Sequence, residues 1–165
     1  MNTKQTILAI DPGYDRCGVA IITTATGVAT LAHSACVITN KKDSHEQRLA
    51  FIYRSLVDLI AQWQPTALAL ETLFFSVNKK TALKVAEARG AILLLAGLHD
   101  LTLVELSPQE VKLSMTGSGN ADKKAIQKMV ALTMQLDLAD KLDDEIDAIA
   151  LGMAAAQQLK FSQLK

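Results

Sequence analysis

The run Ile7-Leu8-Ala9-Ile10 is apolar at every position and ends on Asp11. Whichever way a strand through it alternates, both faces need covering, so it belongs in the middle of a sheet with helices on each side. The pattern returns at Ala67-Leu68-Ala69-Leu70, which ends on Glu71. Two core strands that each finish on a carboxylate are the constraint around which the remaining chain has to fold.

Extended segments are expected over residues 6–10, 17–24 and 28–39, separated by Asp-Pro-Gly-Tyr-Asp and Ala-Thr-Gly turn chemistry. Ser44 with Gln47 forms a capping box, and Leu49, Ile52, Tyr53, Leu56, Leu59 and Ile60 recur at helical spacing as far as Trp63, before Pro65. Residues 67–70 form a fourth strand. A helix follows from beyond Asn78 to about Leu98, then a strand over 102–105. Ser107-Pro108-Gln109-Glu110 is a second capping box that starts a short helix. The break Gly117-Ser118-Gly119-Asn120 precedes a helix through about Leu136, and Asp143 or Asp144 opens a last one ending near Leu159. This order predicts an α/β fold with a mixed central sheet flanked by helices.

The 165 residues suit one domain, with about two-thirds of the unfolded surface buried. Cys17 and Cys36 are too few for a disulfide framework and lack zinc spacing; buried thiols in a reducing compartment are expected. The longest apolar stretch, residues 91–98, is far short of the roughly 18 that a membrane span needs, and the amino-terminal residues lack a signal-peptide pattern. A cytoplasmic protein without a membrane partner is the expectation.

Alternation puts Ile7, Ala9 and Asp11 on one strand face and Ala67, Ala69 and Glu71 on another. Alanines beside each acid admit a close helix. The last helix carries Asp144, Asp147, Ala148, Leu151 and Ala155 along one stripe. Taken singly, each acid has a plainer reading as a turn former or a helix-dipole partner. Taken together, Asp11, Glu71, Asp144 and Asp147 would converge at one sheet edge. Four crowded carboxylates repel, so the cluster calls for hard divalent ions, Mg²⁺ first. Two ions about 3.5–4 Å apart would suit hydrolysis of a phosphodiester.

Ile10-Asp11-Pro12-Gly13, Leu70-Glu71-Thr72-Leu73-Phe74-Phe75, Ala86-Glu87-Ala88-Arg89-Gly90 and Asp144-Glu145-Ile146-Asp147-Ala148, in this order, resemble the RuvC family of crossover junction endodeoxyribonucleases. The acids are 60, 73 and 3 residues apart, and the resemblance extends from about Thr6 to Gln157. It implies an RNase H-like fold as a single nuclease domain over residues 1–165, and a two-fold homodimer. It implies symmetric nicking of two like-polarity strands of a four-way (Holliday) junction in recombination and repair. Mg²⁺ or Mn²⁺, two ions per site, would be held by Asp11, Glu71, Asp144 and Asp147. Phe74 matches an aromatic wedge that stacks on a base at the junction centre, and Lys112 and Lys123 match lysines near the scissile backbone. Asn78, Lys79 and Lys80 fall in a polar, basic DNA-contacting loop, and the helix with the stripe Ala82, Ala86, Gly90 would contribute to the dimer. RuvA and RuvB are the partners that the resemblance suggests.

Within the same fold, the YqgF-like nucleases that act on RNA precursors share the first Asp-x-Gly; Glu71-x-x-Phe74 with Lys112 and Lys123 fits the junction nucleases better. Asp143 and Glu145 depart from the family pattern and add acids beside the site. Lys+Arg and Asp+Glu balance at 17 each, but unevenly along the chain. Residues 137–147 hold six acids against Lys141, whereas residues 111–134 hold four lysines against Asp122.

Overall fold

A computed structural model describes residues 4–72 and 79–162, without the side chains of residues 79–81 and 161–162. Strands β1 (Gln5–Asp11), β2 (Arg16–Ala25) and β3 (Val28–Ile38) form an antiparallel meander. Helix α1 (His45–Trp63) crosses to β4 (Ala67–Glu71), which pairs parallel with β1. Helix α2 (Lys79–Leu98) crosses to β5 (Thr102–Leu106), parallel to β4. Helices α3 (Pro108–Thr116), α4 (Lys123–Met134) and α5 (Asp143–Ser162) complete the chain. The sheet order is β3-β2-β1-β4-β5, so the two acid-terminated strands lie side by side at its centre.

Both faces of β1 are covered, as its apolar run demands. Ile7 and Ala9, with Ala67 and Ala69 of β4, pack under α3, α4 and α5, where Val111, Ile126, Val130, Ile149 and Ala155 complete the layer. Leu8 and Ile10, with Leu68 and Leu70, pack under α1 and α2 against Ile52, Leu56, Ile92 and Leu95. Each fully buried aliphatic side chain of this kind stabilises the fold by about 1.5–3 kcal/mol.

Local chemistry sets the helix ends. Ser44 N donates to Gln47 Oε1 at 3.0 Å, Ser107 N to Glu110 Oε2 at 2.7 Å, and Ala125 N to Asp122 Oδ1 at 2.8 Å. Helix α4 stops at Met134, two residues before the expected end, because Gln135 turns left-handed (φ 53°) and its N–H closes onto Ala131 O. Helix α5 continues past the expected Leu159 to Ser162. Cys17 and Cys36 are both free; Cys17 pairs with Val37 and Cys36 with Gly18, so alternation turns the thiols to opposite faces. Among the described residues no helix is long and apolar enough to cross a membrane.

Helix α5 lies closer to the sheet than side chains normally allow. A β-carbon at Gly18 would stand 1.8 Å from the backbone oxygen of Asp144, and one at Gly152 would stand 2.6 Å from Ile22 Cγ1 and 3.0 Å from Ala9 Cβ. Gly18→Ala has only backbone to push against. It is expected to cost at least the upper end of the ~1–3 kcal/mol typical of overpacking, and to lower Tm by about 2–4 °C per kcal/mol. Gly152→Ala meets side chains, Ile22 and the Cβ of Ala9, rather than backbone, and recovers about 1 kcal/mol of helix propensity, so its loss should be smaller. Melting curves followed by circular dichroism check the order; equal losses would refute a backbone-to-backbone seat.

Candidate active site

Asp11 and Glu71 are the last residues of adjacent parallel strands, one step beyond the Ile10–Leu70 pair. Asp11 also pairs with Gly18, the residue on which the Asp144 backbone rests. The seat of α5 therefore places its first turn directly beside the end of β1. Asp147, one turn further along, lines with Glu71 a cleft of about 280 Å³ whose other walls are Pro108, Val111, Lys112, Lys123, Ile126, Ala150 and Leu151.

The acids sense one another. Burial, followed by the charges of Glu71, Asp147 and Asp144, pushes the Asp11 carboxyl from 3.8 up to about 7, against the opposing pull of Lys123. Burial, followed by Asp147, raises Glu71 to about 6, with Lys112 opposing. Asp147 is raised as well, by burial, although Lys123 pulls the other way. Lys123 Nζ stands 3.2 Å from Asp147 Oδ2 and 3.3 Å from Asp143 Oδ2, and these neighbours hold its ammonium charged above the usual range despite its own desolvation. Arg16 Nε is 3.0 Å from Asp144 Oδ2. That oxygen is buried and accepts no hydrogen bond, because the arginine approaches without the needed alignment.

These features fit a divalent cation of the hard, oxygen-binding class. The donor set is all carboxylate, one buried oxygen lacks a hydrogen-bond partner, and the strand acids are held in a state that a cation would relieve. Among the described residues no three His, Cys, Asp or Glu side chains are already gathered as an ion cage. Two of the carboxylates are instead engaged by Arg16 and Lys123.

Of the residues singled out from the sequence, Glu71, Asp147, Lys112 and Lys123 line one cleft, while Asp11 ends the strand beside Glu71 and Asp144 stands in the first turn of α5 against Gly18. Phe74 and Asn78 lie outside the described residues, as do the side chains of Lys79 and Lys80; only the backbone of these two lysines is described, as the start of α2. Three arginines stand around the site; Arg16 and Arg48 carry no sequence signal beyond their position, whereas Arg89 belongs to one of the motifs that carry the resemblance. Arg16 opens β2 after the Asp11 turn. Buried Arg48 clamps that turn, donating from Nε to Thr39 Oγ1 at 2.9 Å and from Nη2 to Tyr14 O at 3.4 Å, pairing with Asp15, and lying 3.8 Å over the Tyr14 ring. Arg89 on α2 donates from Nε to Glu71 O at 3.3 Å and pairs with Glu105. The ends of both acid-bearing strands are thus tied down by guanidinium groups from the opposite helical layer.

A family model described as "Crossover junction endodeoxyribonuclease RuvC" matches residues 7–155. A protein of that name from Brachyspira hyodysenteriae is 42% identical over 159 residues, covering 96% of this chain and 98% of its own. Another, from Thermosipho melanesiensis, is 39% identical over 155 residues, covering 94% and 99%. Among solved structures, Thermus thermophilus RuvC in complex with Holliday junction substrate superposes with a TM-score of 0.88 at 26% identity, covering 96% of each chain.

Because Asp11 is a buried charge among like charges, Asp11→Asn is expected to raise the Tm of the metal-free chain at pH 8 by several degrees. It should also abolish most of the Tm increase that millimolar Mg²⁺ gives the unmodified chain. Thermal melts with and without Mg²⁺ test both; a variant that keeps the full Mg²⁺ increment would remove Asp11 from the cation site.

Proposed function

We infer the function from the premise that this chain belongs to the RuvC family of crossover junction endodeoxyribonucleases: it is a metal-dependent nuclease that resolves Holliday junctions. The observation that carries the reading to this chain's own residues is the strand-end pair Asp11 and Glu71 facing Asp144 and Asp147 across the Gly18 seat. Asp11, Glu71, Asp144 and Asp147 would hold the divalent ions, two Mg²⁺ or Mn²⁺ per site. When bound, such ions supply a nucleophilic hydroxide and stabilise the leaving oxygen of a phosphodiester.

The chain's own side chains supply the rest. Lys112 and Lys123 line the same cleft as Glu71 and Asp147, so ammonium groups for a backbone phosphate stand beside the acids. Lys123 pairs with Asp147 and Asp143; with the Asp147 carboxylate held by a cation, its ammonium would be available to a phosphate. Phe74 serves as the wedge at the junction centre, where stacking on a base is worth about 1–3 kcal/mol. Asn78, Lys79 and Lys80 contact the DNA backbone, the two lysines from the start of α2.

All 165 residues act as one RNase H-like domain, in the cytoplasm, as a homodimer that nicks two like-polarity strands symmetrically, with RuvA and RuvB as partners. Support for the dimer comes from α2. Its core seam is Ala88, Ile92, Leu95 and Ala96, while Leu83, Leu94 and Leu98 are 59–69% exposed. Gly90 and Gly97 lie on that open side with nothing within 4 Å of an added β-carbon. An apolar helix face with glycine gaps suits a second copy of itself across a two-fold axis. Of the small-residue stripe, Gly90 lies on this open side, while Ala82 and Ala86 are half-buried.

A synthetic four-way junction should be nicked in Mg²⁺ while matched linear duplex is spared; equal cutting of both would sink the junction assignment. Glu71→Gln and Asp144→Asn should each lose more cutting than the roughly 10- to 100-fold that outer-shell changes cost, while binding the junction in EDTA. Sedimentation tests the second copy: Leu94→Glu should shift the chain from dimer to monomer. A variant that remained dimeric would move the contact away from this face.

A further inference from the structure

Building on the site proposed above, we infer that Ser34, Lys141 and Glu145 form a positioning clamp that sets the helix acids Asp144 and Asp147 against the strand acids. Glu145 is 8% exposed although it belongs to the first turn of α5. Its Oε1 accepts from Ser34 Oγ at 2.6 Å and from Lys141 Nζ at 2.5 Å, and the same ammonium donates to Ser34 Oγ at 2.9 Å. Three polar groups from β3, the α4–α5 connection and α5 thus close on one another, and none of them lines the cleft.

The register shows what the clamp fixes. Asp11 pairs with Gly18, Gly18 with Cys36, and Ser34 lies two residues back on β3, opposite Ala20. The contacts at Gly18 and Gly152 set the height of the α5 backbone above the sheet, but both lie along one line on the sheet side and carry no polar group that orients the carboxylates of the first turn. Side-chain ends lie about 5–6 Å from a helix axis, so a roll of only ~10° moves them by ~1 Å. Cation–oxygen distances tolerate about 0.2 Å. A polar contact at the first turn itself, off the Gly18–Gly152 line, sharpens that orientation, and Glu145 provides it on the β3 side. Arg16–Asp144 cannot serve, since that carboxylate is itself a proposed cation ligand. Buried ion pairs seldom add much net stability; the role inferred for this one is to select one arrangement of the first turn over its neighbours.

The test uses the full-length chain without DNA and Mn²⁺ as the probe. Calorimetric titration should show Mn²⁺ binding weakened about 10-fold in Ser34→Ala and Lys141→Met, the usual cost of losing an outer-shell partner. Glu145→Gln keeps an amide oxygen for Ser34 and should lose less. Junction affinity in EDTA should stay within twofold for all three. Ser34→Ala removes a single oxygen and keeps the test decisive if Lys141→Met fails to fold. Unchanged Mn²⁺ affinity in Ser34→Ala and Glu145→Gln, beside normal uptake by the unmodified chain, overturns the clamp alone. Junction binding in EDTA lost in proportion overturns it in favour of a DNA contact. An unmodified chain that takes up no Mn²⁺ overturns the site and the clamp together.

Discussion

The first turn of α5 rests on the backbone of β2 at Gly18 with no side chain between them, and everything at the acidic edge depends on that contact. With ordinary side chains interposed, the helix would stand several ångströms further out, and Asp144 and Asp147 would belong to solvent. Ala9 and Ala69 continue the same clearance along the strands, and Gly152 continues it on the helix, where its missing side chain leaves room for Ile22. Small residues on three strands and one helix thus serve a single purpose. They bring three element ends, the close of β1, the close of β4 and the start of α5, each with its own carboxylate, into one poorly solvated corner.

The cost of that corner is electrostatic. Asp11 at about 7 and Glu71 at about 6 record carboxylates that would rather be neutral, with burial as the larger cause and like charge as the smaller. Lys123, Lys112 and Arg16 offset part of the repulsion from the rim. The overall balance of 17 cations and 17 anions conceals this arrangement. With four acids assigned to two divalent ions, the charge of the chain would move from zero to about +4, and the lysine-bearing α3 and α4 would face a polyanion without an opposing field.

Much of this was legible in the sequence because strand alternation is local. Ile7-Leu8-Ala9-Ile10 dictates coverage on both faces, and the alanines preceding Asp11 and Glu71 mark the side of the close helix. What was not legible depends on distance along the chain. Arg48 meets Tyr14 and Asp15 across more than thirty residues. Lys123 meets Asp147 across 24. No periodicity distinguishes such cations from solubilising ones, and only the family resemblance singled out Lys112 and Lys123. Helix α2 escaped for a different reason: it is apolar on two sides, so the stripe Ala82, Ala86, Gly90 could not be assigned to core or surface until Ala88, Ile92 and Leu95 were seen to face the sheet.

The acids at the start of α5 show why composition alone misleads about a site. Asp143, Asp144, Glu145 and Asp147 are neighbours in sequence and identical in sign, and a count assigns them a single block of negative charge. A helix turns 100° per residue, so they leave the axis in different directions and meet different partners. Asp143 turns to Lys123 and Gln127, at 3.3 Å from each. Glu145 turns to Ser34 and Lys141 over β3 and is neutralised there. Asp144 and Asp147, three residues and therefore about 60° apart around the axis, are the pair left on the side of β1 and β4. The surplus acids do not crowd the cleft, because one is matched by a lysine at its rim and the other is drawn into the fold. Which carboxylates can serve chemistry is decided by the partners that engage the others.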